Sequence, residues 1–113
     1  MHELSLAQGI TDLVAECARR EGIGKVTRVL LEIGVAAAVE PDSIRFCFPI
    51  TAEGTVVEGA ELVINRPPLR ARCEACGTEY EATYVATSCP ACGAHEPKVL
   101  SGLELRVVSF DGA

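Results

Sequence analysis

Four of the six cysteines in this 113-residue chain fall into two pairs, Cys73 with Cys76 and Cys89 with Cys92. Two residues between paired cysteines let a tight turn aim both sulfurs at one ion, and Gly77 and Gly93 supply the backbone freedom such a turn needs. The twelve residues between the pairs make the spacing slightly tighter than the usual zinc pattern of two CxxC pairs. Four thiolates in tetrahedral array suit zinc and leave no open position for catalysis, so the metal is expected to be structural. A rubredoxin-type iron takes the same four ligands. A thioredoxin-like redox role does not fit, because neither pair opens a helix after a strand.

The chain has two histidines, and one of them, His2, directly follows Met1. A free amine, the His2 amide nitrogen and the His2 imidazole lie in one short chelate, which can surround a metal in a plane once the amide loses its proton. Nitrogen-rich planar sites suit nickel(II) and copper(II), and copper wins on raw affinity. The bulk of His2 should protect Met1 from removal. A fourth ligand could come from the Glu3 backbone nitrogen, the Glu3 carboxylate or the imidazole of His95. The bland alternative is a chance histidine beside Glu3, an acidic residue suited to the first turn of a helix. His95, three residues past Cys92, could exchange into the zinc shell, add a nitrogen ligand nearby, or be an exposed loop residue.

The elements that must carry these groups can be read from periodicity. Leu6, Ile10, Leu13, Val14 and Cys17 recur at helical spacing and Gly22 stands at a C-cap position, so a helix is expected over residues 4–21, with Met1 and His2 on its exposed end. "KVTRVLLEIG" alternates as a strand with Val29, Leu31 and Ile33 on one face. In "VEPDSIRFCFPITAEG", Pro41 suits a first helical turn, Ile44, Cys47 and Phe48 share a face, and Pro49 should kink or end the helix. Cys17 and Cys47 read as packing residues on helix faces. "GAELVINRPPLRAR" is an edge or bulged strand interrupted by Pro67 and Pro68, and "GLELRVVSF" supplies a third strand with Leu103, Leu105 and Val107 on one face.

This order predicts an α+β fold: two helices packed on a three-stranded mixed sheet, with an inserted rubredoxin-like zinc ribbon. The expected boundaries are residues 1–69 with 99–113 for the α/β domain and 70–98 for the ribbon. Within the ribbon only Leu69, Tyr80, Tyr84, Val85 and Val99 are available to bury, too few for an independent core. Metal must hold it, and without metal residues 70–98 should be disordered while the rest stays folded.

A net charge of -6 argues against nucleic acid and anionic membranes as partners. The charged residues among the first 21 break any secretory h-region and no apolar run reaches about 18 residues, so a cytoplasmic protein is expected. "REGIGKVT" fails as a phosphate loop, since Arg19 stands where the first glycine is required and Val26 where Ser or Thr is needed. There is no GxSxG and no HExxH. The alternative to metal delivery is a zinc-ribbon module for nucleic acid or a transcription complex, disfavoured by charge and by a shortage of aromatic stacking platforms. An electron-transfer protein of rubredoxin type ranks third.

Taken together, "MHELSLAQ", "VTRVLLEIG", "VEPDSIRFCF", "EGTVVEGAELVI", "CPACGAH" and "LELRV" make the chain similar to the HypA/HybF family of hydrogenase nickel-incorporation proteins, nearly from end to end. The resemblance implies a nickel metallochaperone and not an enzyme. It implies a nickel site at Met1, His2 and Glu3, a zinc site at Cys73, Cys76, Cys89 and Cys92, and an involvement of His95 with nickel in some relatives. Nickel(II) is then the cargo and zinc(II) the resident metal. The implied partners are a nickel-handling maturation GTPase and the large subunit of immature [NiFe] hydrogenase, and we expect a monomer. Pro49 and the terminal "SFDGA" depart from the family pattern and affect local shape only.

Overall fold

A computed structural model describes residues 2–83, 88–95 and 97–113. Met1, Tyr84, Val85 and Glu96 lie outside the described residues. The element order is α1 (His2–Arg20), β1 (Val26–Ile33), α2 (Pro41–Ala52), β2 (Glu61–Asn65), β3 (Arg70–Arg72), β4 (Glu79–Glu81), β5 (Lys98–Ser101) and β6 (Leu105–Gly112). The strands form two three-stranded sheets, β2-β1-β6 and β4-β3-β5. The expected α+β class stands.

The chain divides into two compact units, residues 1–31, 39–64 and 106–113 in one and residues 32–38 and 65–105 in the other. The first is held by apolar burial. α1 packs on α2, and the fully buried side chains include Val14 of α1, Val26, Val29 and Leu31 of β1, Ile44 of α2 and Val57. Strand β1 buries the alternate positions that its sequence pattern assigned to the core.

α1 begins two residues earlier than its periodicity suggests, so His2 and Glu3 belong to its first turn. The buried stripe is Ala7, Ile10, Thr11, Val14 and Ala18, and Leu13, expected on it, is 52% exposed. Thr11 is satisfied inside the core by a 2.8 Å hydrogen bond between its Oγ1 and that of Thr51 on α2. The helix closes as expected at Gly22, with Ile23 N donating to Ala18 O and Gly22 N to Arg19 O.

α2 starts with Pro41 after a Glu40 N-cap whose carboxylate accepts from Asp42 N at 3.3 Å. Pro49 does not end it; the helix continues to Ala52. A proline removes one donor, and the turn that follows is anchored by the buried Thr51 and Ala52, with Thr51 Oγ1 3.1 Å from Phe48 O. The third sheet strand starts at Leu105 and not before, leaving Leu103 49% exposed instead of on its inner face. β2 is an edge strand and stops at Asn65, ahead of the two prolines.

In the second unit, residues 32–38 are stitched to both stems of the cysteine segment. Arg66 donates from Nε to Ile33 O and from Nη2 to Gly34 O, each at 2.9 Å. Val35 N donates to Pro67 O, Ala36 N to Gly102 O and Gly34 N to Glu104 O. The small sheet is antiparallel on both sides of β3, and its β3–β4 register sets Arg70 against Glu81, Arg72 against Glu79 and Ala71 against Tyr80. Opposite charges thus face one another across the strands while Ala71 and Tyr80 share the buried side.

Candidate metal sites

Each cysteine pair sits in the same local turn. In the first, Gly77 N donates to Cys73 O at 2.8 Å and Cys73 N to Thr78 O at 2.8 Å; in the second, Gly93 N donates to Cys89 O and Cys89 N to Ala94 O, both at 2.9 Å. Gly77 and Gly93 have φ of 78° and 74°, a left-handed conformation that costs glycine nothing. The loops are therefore near copies of one another. The first cysteine of each pair is buried and the second exposed.

The two loops bring Cys73, Cys76, Cys89 and Cys92 together, all four sulfurs lying within 4.8 Å of one another. The sulfurs of Cys73 and Cys92 are 3.4 Å apart and those of Cys76 and Cys89 3.7 Å. A tetrahedral zinc with sulfur arms of about 2.3 Å requires sulfurs about 3.8 Å apart, so the cluster has the dimensions of a tetrathiolate metal site. The buried heart of this module is Ala71, Cys73, Tyr80 and Cys89. Two of the four core residues are thus sulfur donors, and the apolar remainder is small.

The thiols are electrostatically unequal. The Cys76 thiol donates to Thr78 Oγ1 at 3.2 Å, and once Cys76 is ionised the same hydroxyl can turn to donate to the thiolate. This bond is the main cause that brings Cys76 down to about 6, with the Thr78 backbone adding to it. Cys92 receives the Ala94 backbone hydrogen bond, which favours its thiolate, yet the Cys73 sulfur, burial and the other two sulfurs push it up to about 12. Four neighbouring sulfurs resist ionising together unless a cation joins them. Burial, then the charge of Cys89 and its companions, also raises Tyr80.

His95 is exposed and is not among the grouped donors; its Nδ1 lies 3.0 Å from Ser88 Oγ, next to Cys89. At the other candidate site, His2 Nε2 is 3.8 Å from Glu3 Oε2, with the side chains 63% and 24% exposed. Met1, whose amine the planar chelate needs, is outside the described residues. Glu3 also lines a groove of about 200 Å³ with Leu4, Ser43, Phe46 and Cys47. Cys17 and Cys47 are half-buried free thiols, and each lines a surface groove. Sequence reasoning missed the groove; its signal was Phe46 and Ile50, apolar residues off the Ile44–Phe48 face of α2.

Residues 1–112 match the sequence model of a family described as HypA, hydrogenase/urease nickel incorporation, metallochaperone. A hydrogenase maturation factor HypA of Chlorobaculum tepidum is 49% identical over 110 residues, 97% of each chain. One of Acidithiobacillus ferrooxidans is 42% identical over 98% of each chain. Among solved structures, the Ni metallochaperone HypA from Helicobacter pylori superposes with a TM-score of 0.72 at 24% identity, covering 99% of this chain and 97% of that one. A second HypA solution structure gives a TM-score of 0.77 at 23% identity, over 100% and 97% of the two chains. At those identities the two structures establish the fold.

Proposed function

This chain belongs to the HypA family of nickel-incorporation metallochaperones, and on that premise we propose that it takes up nickel(II) at the start of α1 and surrenders it to a maturation GTPase and the large subunit of immature [NiFe] hydrogenase. The ligands are the Met1 amine, the amide and imidazole nitrogens of His2, and a Glu3 group. No covalent chemistry is involved. The function is ligand exchange, and zinc in the tetrathiolate cluster serves as a staple.

The observation that carries this reading is the place of His2 and Glu3 in the first turn of α1. The first four amides of a helix have no intrahelical acceptor, so nickel can strip the proton from the His2 amide without breaking a helical hydrogen bond. The partial positive charge of a helix N-terminus also favours the resulting amidate. His2 is largely exposed, so a partner can reach the metal. The weak enclosure that makes the site unsuitable for permanent storage suits it to transfer.

In the cysteine module, Cys73, Cys76, Cys89 and Cys92 hold the zinc, whose contribution is to tie two loops that have little apolar core of their own. His95 is assigned no part in that shell, and its contact with Ser88 leaves Nε2 free to meet a passing nickel ion.

Nickel added to zinc-loaded protein with a native amino terminus should give the diamagnetic signature of planar nickel(II), and His2→Ala should abolish it. A paramagnetic six-coordinate spectrum unaffected by His2→Ala would overturn the proposal.

A further inference from the structure

The inner face of α2 is accounted for by Ile44, Phe48, Thr51 and Ala52, all buried. Its opposite stripe is not the polar surface that a solvent-facing helix normally shows. Asp42, Phe46, Ile50 and Glu53 follow one another at spacings of four, four and three residues, with Pro49 beside Ile50, and all are exposed. Phe46 is 63% exposed and Ile50 56%. Across the groove from Phe46 stands Leu4 of α1, 43% exposed, beside Glu3. A contiguous apolar strip rimmed by charge is the usual mark of an interaction site.

The rim has one sign. From His2 to Ala18 the charged residues are Glu3, Asp12 and Glu16, with no Lys or Arg. From Glu40 to Glu53 the single cation is Arg45, whose guanidinium donates to Leu62 O at 3.0 Å. The apolar strip is therefore bracketed by Asp42 and Glu53 along α2 and by Glu3 along the groove. A second copy of the chain is a poor complement, because a two-fold contact sets each acidic rim against its own image and each chain carries -6. A segment with apolar side chains between lysines or arginines matches both the strip and the rim.

We propose that Leu4, Phe46 and Ile50, with Glu3, Asp42 and Glu53, form the docking surface for a partner protein's short apolar segment flanked by Lys or Arg. What docking achieves rests on the nickel reading above: because Glu3 lines the groove, the bound segment lies against the first turn of α1, where the cargo is held. The partner's own donors then meet the metal in a partly dehydrated setting, and release is confined to the docked state.

The test titrates zinc-loaded, 15N-labelled full-length protein with two synthetic peptides, four leucines flanked on each side by two lysines and the same leucines flanked by glutamates. The lysine peptide should bind at least tenfold more tightly and shift the amides of Leu4, Ser43, Phe46, Cys47 and Ile50. Phe46→Ser combined with Ile50→Ser should weaken it tenfold or more, with the rest of the spectrum unchanged because both side chains are already exposed. Asp42→Lys with Glu53→Lys should invert the preference between peptides. Equal binding of the two peptides, shifts centred elsewhere, or concentration-dependent shifts of the same residues in protein alone would overturn the proposal. Nickel binding read in the same samples separates the two ideas. Serine variants that bind nickel normally yet lose the peptide support docking, whereas wild-type protein that binds the peptide but no nickel would sink the nickel reading and leave the surface standing.

Discussion

In the cysteine cluster the donors are delivered by two matching glycine loops into a partly buried core, whereas at the start of α1 the candidate donors are an exposed imidazole and the backbone of a helix end. The first arrangement would saturate an ion with four thiolates and offer a partner no vacant position. The second uses groups that the fold leaves unemployed, and so it can be emptied at little structural cost. Holding a metal and passing one on are different demands, and on the reading proposed above they fall to different local structures.

Removing a metal ligand from the cluster should have the largest effect. Structural zinc supplies about 10–16 kcal/mol of apparent folding energy in small modules. Cys89→Ser should abolish zinc binding and expose residues 70–98 to protease while helical circular dichroism from α1 and α2 persists. Survival of that segment in metal-free protein would mean that Leu69, Tyr80 and their neighbours hold it unaided.

Acid should act on the same region. The Thr78 hydroxyl lowers Cys76 from 9.0 to about 6 in the folded protein. Its contribution is therefore complete above the ordinary thiol value and is lost as pH falls through about 6. Zinc captured by a chromophoric chelator should rise as the pH is lowered, and Thr78→Val should move that release to higher pH. An unmoved midpoint would remove Thr78 from the account.

The helical unit should respond to packing and not to metal. Ile44 is fully buried, and Ile44→Ala should cost about 2–5 kcal/mol in denaturant titration, with zinc content unchanged. Smaller still, Thr51→Val strands the buried Thr11 hydroxyl and should cost about 1–3 kcal/mol, while Thr11→Val combined with Thr51→Val should be closer to neutral.

The cysteine pairs, their glycines and the alternation of β1 were legible because spacing and period express them directly. The α1 stripe was only half legible. Its lining includes Ala7, Thr11 and Ala18, which no count of large apolar residues selects, and Thr11 is explained only by Thr51, forty residues away. Of the two expectations for Pro49, a kink or an end, the end is excluded, because a lost donor was visible in the sequence and the anchoring of the next turn was not. The three-residue strands β3 and β4 have too little length to show a period and emerge from their cross-strand charge register. At the amino terminus, two residues of helix boundary decided whether His2 precedes the helix or begins it.

On the proposed reading, nickel is held by the start of the chain and zinc by the cysteines, each independently of the other. The most direct test is native mass spectrometry of untagged protein loaded with zinc and then nickel, beside a form with two extra residues before Met1. The account predicts one zinc and one nickel on the native chain, and loss of nickel alone on the extended chain. Equal nickel on both forms, or nickel on neither, would contradict it.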